Sequence, residues 1–237
     1  MTRVGFGRTA RIMVRQAMAE PRFFTRDYAE HTVLRDGTKV LIRLLQPEDR
    51  ELLRAGFERL SPASRYTRFL APKVQLSEDE LRYLCEVDQE DHVAIGAVRD
   101  DGGPPVGLGI ARFIRLTDRP DAAEAAIAVV DEVHQQGLGR LLLLRLVAAA
   151  AERGITRFRS EILGSNAAMM ALLEQIAPDR SIEVRTGVVS VEIPLPSIPP
   201  TQPPAGEPLH SSMYRLFRAA AQNAVEWTEA VRKLWRH

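Results

Sequence analysis

Apolar positions along this chain recur first at every second residue, then at helical spacing, and the two periods alternate from Gly37 onward. Val40, Ile42 and Leu44 mark a strand with one apolar face. Pro47-Glu48-Asp49 opens a helix, with proline in the first turn and acids near its positive end, and Leu52, Leu53, Phe57 and Leu60 form its buried stripe. Ser61-Pro62 restarts a short helical piece through Arg65, Tyr66 and Phe69. A third helix has full start punctuation: Ser77 as cap, Glu80 closing the box, Leu76 and Leu81 as the staple, with its end near Val87. Strands then run from His92 to Val98 and from Val106 to Ile114. The turn-rich Asp100 to Pro105 between them predicts a hairpin.

A polar loop, Arg115 to Ala123, leads into the stretch around which the chain is arranged. Ala125 to Val130 is an apolar run too short for a globular helix. Asp131 and Glu132 break it, and Gln135-Gln136-Gly137-Leu138-Gly139-Arg140 follows. A strongly apolar helix comes next, with Leu141, Leu142, Leu144, Leu146 and Val147, and Gly154 is its natural stop. Strand, glycine turn, helix is the order that aims backbone N–H groups at an anion, and the two glycines let the chain come close to a phosphate. The turn fits neither common phosphate-loop pattern, because no Lys-Ser/Thr follows the glycines and the spacing is not GxGxxG. An ordinary β–α turn is the competing reading.

Phe158 to Leu163 is a further strand, and Asn166 or Ser165 caps a helix carrying Met169, Met170, Leu173 and Ile176. Ile182 to Val184 and Val188 to Ile193 supply the last paired strands. The whole reads as an α/β fold, a mixed, mostly antiparallel twisted sheet flanked by helices, over residues 37–194. Residues 195–208 read as a proline-rich linker, and residues 209–237 as an amphipathic helix on the spacing of Leu216, Ala220, Trp227 and Leu234. Residues 1–36, rich in arginine, read as a basic arm or loosely docked helix.

Composition narrows the class. At 237 residues, with 45% hydrophobic and 27% charged positions, the chain is globular and not disordered. A net charge of +1 argues against a general nucleic-acid binder. The one cysteine, Cys85, forms no internal disulfide and reads as a buried structural thiol, which fits a reducing, cytoplasmic setting. No apolar run reaches membrane-spanning length, since Arg145 breaks the longest. His31, His210 and His237 show no ligand spacing with acids or Cys85, so no metal site is expected. Asp88 lies four residues before His92, and a buried histidine bonded to that carboxylate is the plain expectation.

This element order, with Val129 to Arg140 reading VVDEVHQQGLGR, resembles the GNAT N-acetyltransferase superfamily. Its acetyl-CoA loop, Q/R-x-x-G-x-G/A, is matched by His134-Gln135-Gln136-Gly137-Leu138-Gly139, with histidine at the first position. LSPASRYTRF, ending at Phe69, together with Leu84-Cys85-Glu86-Val87-Asp88 and Asp91-His92, is similar to the catalytic domain of bacterial protein lysine acetyltransferases.

The resemblance implies acetyl-CoA as co-substrate and Glu124 as the catalytic base, at the start of the strand before the loop. Lysine's ordinary pKa near 10.4 leaves roughly one amine in a thousand uncharged at neutral pH, so a proton acceptor is needed. It further implies that Ile127, Ala128 and Val129 meet the pantetheine arm with backbone groups, and that donors near Val129 polarise the thioester. His134, Gln135, Gln136, Gly137, Leu138, Gly139 and Arg140 would then hold the pyrophosphate. Asn166 resembles the superfamily asparagine that contacts the arm, with a helix cap as its other role. In cyclic-nucleotide-regulated relatives the histidine matching His92 takes part in inhibition, and a terminal segment covers the site. A protein lysine is the expected acceptor. A small amine or N-terminus, a non-catalytic acyl-CoA-binding module, and an interaction protein working through its tails stay open beside it. Self-association or lid docking through the terminal helix is likewise open, and neither nucleic acid nor membrane is expected as a partner.

Overall fold

The structure is a computed structural model, and it describes residues 22–176, 180–185 and 187–195. The linker and terminal helix expected beyond Leu195 lie outside the described residues, as does the first part of the basic arm.

Among the described residues eight strands form one sheet: β1 (Ala29–Val33), β2 (Lys39–Leu44), β3 (His92–Arg99), β4 (Gly107–Arg115), β5 (Ala122–Val129), β6 (Arg157–Leu163), β7 (Ser181–Arg185) and β8 (Val188–Pro194). Their spatial order is β1-β2-β3-β4-β5-β6-β8-β7. Every neighbouring pair is antiparallel except β5 and β6, which run parallel. The parallel step needs a crossover, and α4 (Leu138–Ala151) supplies it. Helices α1 (Arg50–Glu58), α2 (Pro62–Phe69) and α3 (Glu78–Cys85) gather on the other side of β3–β5, while α5 (Ala167–Ile176) joins β6 to β7.

Cross-strand registers place the side chains. Glu124, Ala126 and Ala128 of β5 share a face with their partners Ile114, Arg112 and Ile110 of β4, which is the face toward α1–α3. Leu108, Ala111 and Phe113 are fully buried, and α4 closes its face with Leu138, Leu142 and Leu146. Each such side chain stabilises the fold by about 1.5–3 kcal/mol on burial, which is why α4 is apolar on nearly every side.

The start of the domain differs from expectation. Residues 1–36 read as a basic arm or loosely docked helix, yet Ala29–Val33 is an edge strand paired with β2, and Phe24, Tyr28 and Leu34 belong to the core. Phe24 packs on Tyr28 at 4.6 Å between ring centroids. Its backbone carbonyl accepts from Arg153 at 2.9 Å, and Glu152 accepts the amides of Phe23 and Phe24 at 3.0 and 3.1 Å. Glu30 receives Arg145 of α4 through two bonds of 2.7 Å. The third helix keeps its expected cap: the Ser77 hydroxyl accepts from the Glu80 amide at 3.3 Å, and Glu80 accepts the Ser77 amide at 2.9 Å. Cys85 is fully buried, and burial raises its thiol pKa, so it acts as core and not as a nucleophile.

Candidate active site

The seam between β5 and β6 opens. The two strands pair only over Ala122–Glu124, after which the Ser160 hydroxyl donates to the Ala125 carbonyl at 2.8 Å. The Ala125 carbonyl therefore faces the seam. So does that of Val129, which accepts from the ring Nε2–H of His134 at 2.9 Å. Backbone groups alternate along a strand, so the N–H and C=O of Ile127, midway between, point into the open seam as well. Ala126 and Ala128 turn their backbone groups toward β4. The seam edge is thus a short unpaired strand, a template for another extended, amide-bearing chain.

At the end of β5 a single 3-10 turn, Asp131–Val133, leads into the glycine turn. The two acids read as breakers are ties. Asp131 accepts from the Ser61 amide at 2.9 Å, the Ser61 hydroxyl at 2.7 Å and the Ser64 hydroxyl at 2.9 Å, which fastens the start of α2 to the turn. Burial raises the Asp131 pKa, but these donors outweigh it and leave the carboxyl below its ordinary range. Glu132 accepts from Arg59, the residue that caps the end of α1, at 3.1 and 2.7 Å.

The turn itself has the form expected of an anion cradle. Gln135 and Gly137 both have left-handed backbones, φ of 62° and 93°. The helix begins at Leu138, between the two glycines. Among the described residues no backbone acceptor meets the amides of Gln135, Gly137, Leu138, Gly139 and Arg140, so five donors cluster at the positive end of α4. A Cβ placed on Gly139 would meet nothing nearer than Val129 Cγ2 at 3.8 Å. Packing alone does not demand glycine there, whereas the approach of a phosphate would. The Arg140 guanidinium has no ion-pair partner among the described residues. Arg35, which sequence reasoning missed, comes from the β1–β2 turn and donates to the Gln135 carbonyl at 3.4 Å, adding a second cation beside the loop.

His134 and the Asp88–His92 pair are placed differently from the expectation, and Asn166 takes the helix cap, one of the two roles read for it. His134 turns its ring onto Val129 and away from the bare amides. The side-chain oxygen of Asn166 accepts the Met169 amide at 3.1 Å, so its carboxamide caps α5. Asp88 does not hold the His92 ring: its Oδ1 accepts the backbone amides of Glu90, Asp91 and His92 at 2.8, 2.9 and 2.8 Å, closing a turn before β3. The ring stacks on Tyr83 at 5.3 Å and lies 3.2 Å from Arg112 Nη1, whose N–H it accepts through Nε2. Burial first, and the Arg112 charge second, push the His92 pKa down to about 4, so the ring is neutral at physiological pH.

Glu124 lies third in β5, exposed, where the parallel pairing ends. Among the described residues its carboxylate makes no hydrogen bond or ion pair, although it faces the charge of Arg68. Beside it, between the sheet and α1–α3, is a cavity of about 90 Å³ lined by Phe57, Phe69, Leu84, Gly109, Ile110 and Ala128.

Among the described residues the sheet opens at one parallel seam, next to a turn of free amides and a largely apolar cavity, an arrangement that suits an acyltransferase. The model of the acetyltransferase (GNAT) family matches residues 52–177, and this chain belongs to that family. It is 32% identical to an acetyltransferase of Pseudomonas aeruginosa over 64% of this chain and 84% of the relative. It is 28% identical to acetyltransferase Pat of Mycolicibacterium smegmatis over 80% of this chain, and spans 56% of that longer relative. Among solved structures it resembles the GNAT domain of S. lividans PAT, with a TM-score of 0.63 and 31% identity over 70% of this chain and 97% of that one.

Proposed function

We propose that this enzyme transfers the acetyl group of acetyl-CoA to a protein lysine, with Glu124 as the proton acceptor. The observation that carries the reading is the open β5 edge, which runs from five unpaired amides to an exposed, unpaired carboxylate. The amides of Gln135, Gly137, Leu138 and Gly139, with Arg140 and Arg35, suit a pyrophosphate. The seam-facing groups of Ile127 and Val129 suit the peptide-like pantetheine arm, which His134 flanks through its bond to Val129. A thioester delivered along this edge toward Glu124 meets a seam-facing N–H of β5, a donor for the charge that develops on the carbonyl oxygen. Glu124 takes the ammonium proton directly or through one water, the amine nitrogen bonds to the acyl carbon, and the C–S bond breaks with the thiol as leaving group. No covalent enzyme intermediate is needed, and Cys85 is too deeply buried to form one.

Similarity to Pat-type acetyltransferases supports a protein acceptor, and the exposure of Glu124 leaves room for one. Among the described residues no helix is long and apolar enough to cross a membrane, and the buried lone thiol fits a cytoplasmic setting. Thiol release with a lysine peptide tests the assignment. Glu124→Gln lowers kcat by about 10²–10⁴-fold while coenzyme A binds as in the wild type. An unchanged kcat would remove Glu124 from the chemistry. Mass spectrometry of proteins incubated with labelled acetyl-CoA identifies the acceptor.

A further inference from the structure

The cavity beside Glu124 holds two cations that transfer to a plain amine leaves unused. Three arginines, Arg43, Arg68 and Arg112, line it among apolar side chains. Arg43 is neutralised, with both terminal nitrogens 2.6 Å from the Asp49 carboxylate. The other two are not: among the described residues neither Arg68 nor Arg112 has a carboxylate at ion-pair distance. Arg112 is only 4% exposed and donates to two neutral acceptors, the Leu84 carbonyl at 3.3 Å and His92 Nε2 at 3.2 Å. Arg68 lies over the Phe69 ring, 5.0 Å from its centroid, with no hydrogen-bond acceptor among the described residues.

Elsewhere this chain equips its deeply set arginines. Arg145 has Glu30, and Arg153 donates to the carbonyls of Gln89, Ala149 and Phe24. Arg68 has the Glu124 carboxylate only at longer range, and Asp49 on the same cavity is taken by Arg43. Two guanidinium groups therefore face one largely apolar cavity with no carboxylate in contact, repel each other and lose solvation. Burial lowers both pKa values, and Arg68 lowers that of Arg112 further, to about 10. The arrangement is unfavourable in the free enzyme and becomes favourable once an anion enters. A carboxylate matches the planar fork of a guanidinium, and a short apolar linker matches the walls.

We infer that Arg68 and Arg112 seat a carboxylate carried by the substrate, a few bonds from the reacting centre. The inference rests on the acyl-transfer reading and names its substrate class. Two sources share this chemistry: the acyl group of a dicarboxylic thioester, or an acidic side chain beside the acceptor lysine. The bonds made and broken are those of acetyl transfer in either case.

Two substrate series separate the sources, each run on the full chain with wild type, Arg68→Gln and Arg68→Lys. One compares succinyl-CoA with propionyl-CoA and acetyl-CoA on a fixed amine. The other compares lysine peptides bearing Asp or Asn beside the lysine, with acetyl-CoA. In one series the carboxylated member has kcat/KM about tenfold or more above its neutral counterpart. That ratio falls toward one in Arg68→Gln and partly returns in Arg68→Lys. The series that shows the preference names the source. A binding readout runs alongside, in which free succinate raises the melting temperature of the wild type and not of Arg68→Gln. Acetyl transfer without preference in either series overturns the inference. If no substrate turns over and coenzyme A does not bind, the acyl-transfer reading itself has failed. The melting comparison then decides alone, a shift abolished by Arg68→Gln supporting the seat and no shift refuting it.

Discussion

The two glycines of the turn before α4 do different work in the proposed cofactor site. Gly137, at φ of 93°, occupies a backbone region that side chains with a Cβ enter only under strain, so Gly137→Val weakens both the fold and the turn, by about 1–3 kcal/mol. Gly139 is ordinary helix by conformation, and its missing Cβ faces open space beyond Val129. Gly139→Ala therefore leaves the melting temperature unchanged but raises the coenzyme A dissociation constant about tenfold, by crowding the diphosphate. Melting curves and calorimetry on the two variants check the split. Wild-type affinity in Gly139→Ala would return the segment to an ordinary β–α turn. Both glycines were legible in the sequence because a glycine-x-glycine before an apolar helix is a local pattern. Arg68 and Arg112 were not, although Arg68 sits inside the quoted SPASRYTRF motif. What marks them is the lack of a carboxylate in contact, a relation among α2, β4 and everything around them that no spacing records. Asp88 shows the same limit from the other side: four residues from His92, its carboxylate has three backbone amides to satisfy and does not reach the ring.

At the scale of elements, α1, α3, α4 and the β3–β4 hairpin could be read from periodicity and caps, since each buries one face or closes a local turn. β1 could not. As an edge strand with exposed and half-exposed side chains alternating, it carries no apolar repeat, and the surrounding arginines suggested an arm. What holds it is long-range: the Glu30–Arg145 pair, with Tyr28 donating to Glu30 at 2.7 Å. Burial raises the Glu30 pKa, but the bonds from Arg145 and Tyr28 outweigh it and leave the carboxyl below its ordinary value. A carboxyl lowered in the folded state stabilises fully above its unfolded pKa and loses that contribution as pH falls through the folded one. Glu30→Ala thus lowers stability by about 2 kcal/mol at pH 7. The difference from wild type shrinks as pH drops below the unfolded glutamate pKa of about 4.3. Denaturant melts at pH 7 and pH 3 read this directly, and an equal difference at both values would mean that the pair does not tether β1.

Among the described residues the molecule is built on one sheet whose neighbouring strands part along one seam. Six strand pairs are antiparallel, and the seventh, parallel pair separates after Glu124, leaving a gap that only the three-dimensional register reveals. Helix α4 turns its bare end toward that gap, while Asp131 and Glu132 lash α2 and α1 beside it. The open β5 edge, the carboxylate and the arginine-lined cavity are therefore held side by side, although their residues come from positions as far apart as Arg43 and Val129. The α/β class and the glycine turn were foreseeable from residue order, whereas the opening of the seam and the ties around it belong to tertiary structure.

Titration calorimetry of coenzyme A into the full chain tests the central claim most directly. The account predicts one site per chain, retained in Glu124→Gln and weakened about tenfold in Gly139→Ala. Absence of binding heat and of any melting shift in folded protein at millimolar coenzyme A would contradict it.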